Sequence, residues 1–180
     1  NRDGLMDVEW GAVPGHLQWN IGAWVGNAND PLVVYTQSTG ERAGSLLSSR
    51  VGGSIAGSVA FKNRVEFGIE LPLVYSQSRD SLTTVPPGAL ESFGVGDLRL
   101  LPKLALLRGE RGGAQGLSIA LIPAVTLPTG GSGDYRGERS VSFEPELALS
   151  RAFGALRVAG NLGYRLRKGS EVVNLAVDDE

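Results

Sequence analysis

The chain has 180 residues, 42% of them hydrophobic and 20% charged, with a formal net charge of -2. The Lys and Arg residues are scattered and form no basic stripe, which excludes nucleic acid as a partner. The absence of cysteine excludes disulfides and thiolate metal sites, and no run of about 18 apolar residues indicates a membrane helix. The high glycine content favours sheet and turns over a helix bundle.

The first alternation of apolar and polar residues begins at Leu17 and predicts a strand over residues 17–25. Residues 27–31 interrupt it with Asn and an Asp-Pro pair, and residues 32–35 resume an apolar extended stretch. That stretch is either the same strand after a kink or part of a large loop. Residues before His16 are predicted to be irregular, with Trp10 as their only large apolar anchor.

The clearest strand pattern covers residues 65–75, where apolar side chains alternate with Glu, Gly, Pro and Val. At about 3.3 Å per residue this stretch reaches roughly 36 Å, enough for a tilted crossing of a ~30 Å hydrocarbon layer. The preceding alternation, residues 50–61, is separated from it only by residues 62–64. The two stretches are therefore predicted to form an antiparallel hairpin.

The same alternation recurs along the rest of the chain, between connections that are by turns long and short. The further predicted strands are residues 98–106, 117–127, 141–149, 156–166 and 172–177. Short connections on one side and longer ones on the other are typical of outer-membrane barrels. Pro72, Pro102, Pro123 and Pro145 interrupt good alternations, so we expect bulges or local unpairing at several of them.

These patterns predict an all-β fold, an antiparallel up-and-down transmembrane β-barrel with about eight strands between residues 17 and 177. Residues 1–180 would form a single barrel domain or a barrel fragment. Because the polar face is rich in Gly, Ala and Ser, which would not fill a small lumen, we expect a larger parent barrel. A soluble antiparallel barrel or sandwich remains open, because alternation does not show which face points inward.

Four aromatic residues fall on the apolar face near strand ends and are predicted to lie at the membrane–water interface: Trp19, Tyr75, Phe143 and Tyr164. Ordinary core packing is the alternative for these rings. Trp24 falls on the opposite face, where it is predicted to plug the lumen.

Several motifs resemble known families. Four motifs resemble those of bacterial outer-membrane barrels of the meta-pathway phenol-degradation type. They are residues 94–100, the Leu-Pro-Thr-Gly at 127–130, the Pro-Glu-Leu-Ala-Leu-Ser at 145–150 and the Gly-Asn-Leu-Gly-Tyr at 160–164. Residues 16–18 and 29–32 are similar to the N-terminal barrel of OmpA-family proteins. The resemblance implies an outer-membrane location and passage of small solutes. Peptidoglycan binding would require a further domain that these residues do not contain.

The residues carry no pattern typical of an enzyme, a metal site or a cofactor site. His16 is the only histidine, so a multi-histidine site is impossible. The glycine-rich residues 129–134 lack the Lys and following helix of a phosphate-binding loop, and the acidic residues 178–180 read as a solvated cluster. We therefore predict no enzyme activity, no cofactor and no metal.

The candidate functional residues are instead polar side chains predicted to line the lumen: Glu66, Glu70, Arg99, Lys103, Glu144, Glu146, Arg157, Asn161 and Arg165. A short turn at residues 151–155 would bring Glu144 and Glu146 beside residues 161–165. Glu66 and Glu70 are predicted to pair with Arg99 or Lys103 on the next strand. Such ion pairs would hold the lumen's shape and influence which solutes pass.

The sequence thus predicts a barrel in the outer membrane of a Gram-negative bacterium, in contact with membrane lipid. Its predicted function is that of a passive pore for small solutes or of the membrane anchor of a cell-envelope protein. The alternative is a soluble lipocalin-like barrel that binds a small apolar ligand in its interior.

Overall fold

A computed structural model of the chain describes residues 8–36, 38–78, 93–109, 116–131, 136–137, 140–154 and 156–167. These residues form an all-β fold of nine strands. The strands are β1 (Trp19–Tyr35), β2 (Arg42–Phe61), β3 (Val65–Ser78), β4 (Gly94–Val95), β5 (Leu98–Leu107), β6 (Leu117–Leu127), β7 (Ser142–Phe153), β8 (Leu156–Gly163) and β9 (Leu166–Arg167).

All strands belong to one antiparallel up-and-down sheet that curves into a half-barrel. The main order is β1-β2-β3-β5-β6-β7-β8, while the two-residue strands β4 and β9 pair with β3 and β7. The predicted all-β antiparallel architecture is therefore confirmed. The return strand predicted at residues 172–177 lies outside the described residues.

The hairpin between β2 and β3 turns through two residues with left-handed backbone. Lys62 and Asn63 have φ of 49° and 54°, the conformation of a tight turn whose twist matches that of its flanking strands. Phe61 pairs directly with Val65, and the register continues without a shift until Gly52 pairs with Val74. The predicted antiparallel hairpin and the strand over residues 65–75 are confirmed, and β3 continues to Ser78.

The first two strands are longer than their sequence pattern predicts. β1 continues through the Asn-rich interruption to Tyr35, with register shifts between Asn29 and Leu32 and again near Tyr35. Asp30 adopts φ of 49° at this irregularity. Bulges therefore absorb the interruption, and residues 32–35 belong to the same strand rather than to a loop.

The internal prolines lie where the ladders are interrupted. Pairing between β5 and β6 stops after Leu100 and resumes at Leu104, so that the gap contains Pro102 and Pro123. Pairing of β7 with β8 and β9 likewise leaves out Pro145. The predicted local unpairing is confirmed at these sites, because proline has no N–H to donate to a ladder. Pro72 likewise falls between the pairing of β3 with β5 and that with β4. On its other side each proline stays in register: Pro72 opposite Ser54, Pro102 opposite Phe67, and Pro123 opposite Pro145.

The turn between β7 and β8 is tighter than predicted. β7 continues to Phe153, which pairs with Leu156, and Gly154 takes φ of 63° between them.

The connections β2–β3, β5–β6 and β7–β8 all lie at one end of the sheet, called here the short-turn end. The connections β1–β2, β3–β5 and β6–β7 lie at the opposite end, called the long-connection end. The predicted alternation of long and short connections holds only in part, because β1–β2 (residues 36–41) is shorter than β5–β6 (residues 108–116).

Candidate lumen site

The concave face of the sheet is formed by small and polar side chains. They include alanines of β2, β6 and β7 that are fully buried, and serines with at most 3% exposure. Those alanines and serines are Ala60, Ala120, Ala148, Ser54, Ser118, Ser142 and Ser150. The only buried apolar cluster in the described part of the chain is small: Ile122, Ala124 and Ala148, with Leu101 packed against it. The register places eight of the nine candidate residues on this concave face. The ninth, Arg165, lies outside the ladders between β8 and β9.

The charged groups of the concave face begin with Lys103 near the short-turn end. Glu66 of β3 and Lys103 of β5 are directly opposite in register, and Lys103 Nζ lies 4.0 Å from Glu66 Oε2. Both residues are buried, with exposures of 7% and 4%. Lys103 Nζ also lies 3.3 Å from Glu9 Oε2. The ammonium group is thereby held between two carboxylates.

A second charged group lies four residues further along β3, at Glu70. Arg99 Nη1 donates to Glu70 Oε2 at 3.1 Å, and Ser54 Oγ donates to Glu70 Oε1 at 2.7 Å. Arg99 Nη2 also lies 3.8 Å from Glu144 Oε2 on β7. Arg99 therefore bridges carboxylates from two strands, as long guanidinium side chains can do with their several donors. The predicted pairing of Glu66 and Glu70 with Lys103 and Arg99 is present.

The two carboxylates of β7 contact side chains on two other strands, β5 and β8. Asn161 on β8 donates its side-chain N–H to Glu146, diagonally across the β7–β8 ladder. Arg165 Nη2 contacts Ser142 Oγ at 3.5 Å, and the Arg157 guanidinium lies 5.9 Å from the centre of the Trp10 ring. Glu146 thus lies diagonally beside residue 161, as predicted, but its partner there is a neutral amide instead of the expected opposite charge. Glu144 reaches Arg99 on β5.

A cavity of about 520 Å³ opens toward the long-connection end of the concave face. It is lined by Pro72, Asp97, Arg99, Thr126, Arg136, Gly137, Glu144 and Arg165. The Arg99 guanidinium pairs with Glu144 and with Glu70 behind it, and the lining also contains the Asp97 carboxylate. The cavity is therefore polar and charged with both signs, unlike the predominantly apolar pockets that bind small apolar ligands.

Two motifs quoted above for their resemblance meet at the long-connection end. Asp97 Oδ1 accepts a hydrogen bond from Gly130 N at 2.9 Å. Thr129 Oγ1 accepts one from Leu98 N at 2.9 Å and donates one to Gly96 O at 3.1 Å. Side chains thus hold the segment before β5 against the segment after β6, where the backbone leaves the ladders.

An N-terminal segment crosses the concave face at the short-turn end. Residues 9–15 are called here the strap. Its Trp10 is only 4% exposed, and its Gly11 N donates a hydrogen bond to Ser150 Oγ at 3.0 Å. A Cβ on Gly11 would lie 2.6 Å from Ser118 O, so only glycine fits this approach. The sequence indicated an anchor at Trp10, but no pattern in it places Glu9 and Gly11 inside the half-barrel.

Trp24 does not plug the concave face. Its side chain lies on that face opposite Ser54, at the edge strand β1, and is 60% exposed. The indole that occupies the interior is that of Trp10. Within the described residues β1 has a neighbouring strand on only one side, which leaves the Trp24 side chain exposed.

The outward face carries the large apolar side chains. Ile21, Ile69, Val158 and Leu162 are exposed to between 47% and 73%. The four aromatic residues predicted at an interface, Trp19, Tyr75, Phe143 and Tyr164, also point outward. Phe61 and Phe67 pack edge to face at 6.0 Å on the same surface. In the described part of the chain, the distribution of a water-soluble protein is therefore inverted.

Searches against protein-family models, curated proteins and solved structures gave no match to this chain. Among the described residues, no group of three or more His, Cys, Asp or Glu side chains could hold a metal ion. The same residues contain no helix that is long and apolar enough to cross a membrane.

Proposed function

We propose that the chain is a membrane-spanning β-barrel, or a large part of one, in the outer membrane of a Gram-negative bacterium. Its function is that of a passive pore for small solutes. The observation that carries this proposal is the orientation of the sheet: large apolar side chains point outward, whereas buried charges, serines and alanines lie on the concave face. In lipid this arrangement places apolar groups against hydrocarbon and polar groups in the lumen.

Strand length supports the proposal. Phe67 and Tyr75 both lie on the outward face of β3, at the two ends of its apolar stretch. The eight residue-to-residue steps from Phe67 to Tyr75 span about 26 Å of extended chain, and a tilt of ~40° shortens this to about 20 Å along the barrel axis. That height is close to the ~25 Å apolar band of outer-membrane barrels, which aromatic girdles flank on both sides.

A membrane barrel of this topology would include further strands. In the described residues β1 pairs only with β2, and β8 only with β7, so the sheet has two open edges. Six successive antiparallel pairings make β1 and β8 run in the same direction, so they cannot close the barrel antiparallel to each other. An odd number of additional strands would complete an antiparallel barrel and satisfy the edge N–H and C=O groups within lipid.

The orientation also separates this proposal from the lipocalin-like alternative. A soluble barrel of that kind packs its large apolar side chains inside, around an apolar ligand. Here Phe143, Val158 and Leu162 face outward, and the described cavity is lined by arginine and carboxylate side chains. A membrane anchor would need the same orientation as a pore, so measurement of solute flux distinguishes those two functions.

The test is to refold the purified protein with and without lipid. We expect compact, heat-modifiable β-structure in detergent micelles and phospholipid vesicles, aggregation in buffer alone, and swelling of the vesicles in solutions of small sugars. A water-soluble monomer formed without detergent would overturn the membrane proposal. Insertion without any solute flux would reject the pore and leave the anchor.

A further inference from the structure

The cavity at the long-connection end is lined by side chains of both charges. Its cations are three guanidinium groups and its anions are two carboxylates: Arg99, Arg136, Arg165, Asp97 and Glu144. Its volume of about 520 Å³ lies within the usual range of small-molecule sites. These charged side chains therefore surround a single space that a small solute can enter.

Two glycines bring charged groups of the cavity wall close against the backbone. Arg136 Nη1 donates to Phe93 O at 3.2 Å, and a Cβ on Gly94 would overlap the same guanidinium group. A Cβ on Gly137 would likewise overlap the Asp97 carboxylate. Glycine at both positions leaves the space that these side chains occupy. The wall therefore presents a guanidinium and a carboxylate from packed positions, before any solute binds.

Arg99 and Glu144 form the most open ion pair of this cavity. Arg99 Nη2 lies 3.8 Å from Glu144 Oε2, which is longer than a hydrogen bond, and the two side chains are 37% and 33% exposed. In the described part of the chain this is the one polar contact of the Glu144 carboxylate. Arg99 has five N–H groups and uses Nη1 for Glu70. The pair thus keeps a donor and an acceptor for a solute.

The mixture of charges favours a solute that carries both signs. An anion is attracted to Arg99 but repelled by Asp97 and Glu144, and a cation meets the reverse. With Glu70 behind Arg99, the described groups around the cavity are three guanidinium groups and three carboxylates. In an α-amino acid, bonds of about 1.5 Å join the ammonium nitrogen and the carboxylate carbon to one carbon atom. Both groups can therefore reach an ion pair as close as Arg99 and Glu144.

We propose that this cavity binds small zwitterions of the α-amino acid type as they pass through the pore. The inference rests on the proposed pore function and names the class of its solute. The carboxylate of the solute accepts a hydrogen bond from Arg99 Nη2, and its ammonium group donates one to Glu144 Oε2. The dipole of the solute then lies antiparallel to that of the ion pair, so every charge keeps an opposite partner.

The test compares four solutes of similar size that share a CH₃–CH group: zwitterionic L-alanine, neutral lactamide, the lactate anion and the isopropylammonium cation. Each is titrated at neutral pH and equal ionic strength onto the full chain folded in detergent. Saturation-transfer difference NMR of the methyl protons measures binding, because it detects weakly bound small molecules. L-Alanine and lactamide have the same atomic composition, so a difference between them reports the charges.

We expect saturable binding of L-alanine and much weaker binding of the other three solutes. Glu144→Gln and Arg99→Gln should each weaken L-alanine binding about tenfold, because a hydrogen bond between charged groups is lost. The matched control Glu146→Gln changes a carboxylate on the same strand and face, two residues away and outside the cavity lining. It should leave L-alanine binding unchanged. Circular dichroism checks that each variant is folded.

Equal binding of lactate or of isopropylammonium would show that one charge is sufficient and overturn the zwitterion site. Equal binding of lactamide would overturn any role of the charges, and an equal loss in Glu146→Gln would overturn the assignment to this cavity. The NMR measurement needs only folded protein in detergent. Intact L-alanine binding without solute flux in vesicles would reject the pore, whereas flux without preferential L-alanine binding would reject the site alone.

Discussion

The two faces of this sheet are made by alternate residues of the same strands, yet they follow opposite rules. On β3, Phe67 and Ile69 are 56% and 47% exposed, whereas their neighbour Glu66 is only 7% exposed. On β6, Ser118 and Ala120 are fully buried. The concave face is stabilised by specific pairs between charges, while the outward face has apolar area but few partners of its own. In the proposed function, lipid covers the outward face and supplies its stabilisation.

The largest effect on the concave face should come from Lys103→Met. The substitution leaves the buried Glu66 carboxylate without its opposite charge, and loss of one partner from a buried pair costs about 3–5 kcal/mol. We expect the midpoint of urea unfolding in detergent to fall accordingly. The double variant Lys103→Met/Glu66→Gln should recover most of the loss, and a purely additive double variant would contradict a coupled pair.

A charge on the outward face should be the next most damaging change. Ile69→Arg places a guanidinium at the middle of the apolar stretch of β3, which costs about 2–4 kcal/mol in lipid. Leu121→Arg on β6 should behave alike. The matched control, Ser58→Arg, places the same charge on the concave face and should still fold into vesicles. Folding is measured by heat-modifiable electrophoretic mobility. If the arginine variants of both faces fold equally well, the outward and concave faces do not differ in their tolerance of charge.

The edge-to-face contact of Phe61 and Phe67 is a smaller contribution on the outward face. Aromatic pairs in this geometry contribute about 0.5–1.5 kcal/mol beyond the area they bury. A double-mutant cycle with Phe61→Leu and Phe67→Leu, followed by urea unfolding in vesicles, measures this coupling. A coupling energy near zero would mean that lipid contacts alone determine the stability of this surface.

The smallest effect should come from the half-exposed ion pair on the concave face. Arg99 and Glu70 have side chains that are 37% and 20% exposed, so solvent screens their attraction. We expect Arg99→Gln to lower the free energy of unfolding by only about 0–1 kcal/mol. Its effect on solute flux should be larger, because Arg99 lines the cavity. A stability loss as large as that of Lys103→Met would contradict this difference in burial.

Local patterns in the sequence were sufficient to predict most strands. The period-two alternation predicted β6 at residues 117–127, the very limits that the structure shows, and a three-residue connection predicted the β2–β3 hairpin. The pairs of Glu66 with Lys103 and of Glu70 with Arg99 also followed, because an antiparallel neighbour brings the polar faces of two strands together. These features depend on residues close in sequence or on adjacent strands.

Other features were decided only by the tertiary structure. Alternation has the same period whichever face points inward, so only the curvature of the sheet distinguishes the buried Glu66 from the exposed Phe67. The continuation of β1 through Asp30 depends on bulges formed against β2. The position of the strap depends on Lys103, Ser118 and Ser150, which are far from it in sequence. Loop closure can bring such residues together without leaving any local pattern.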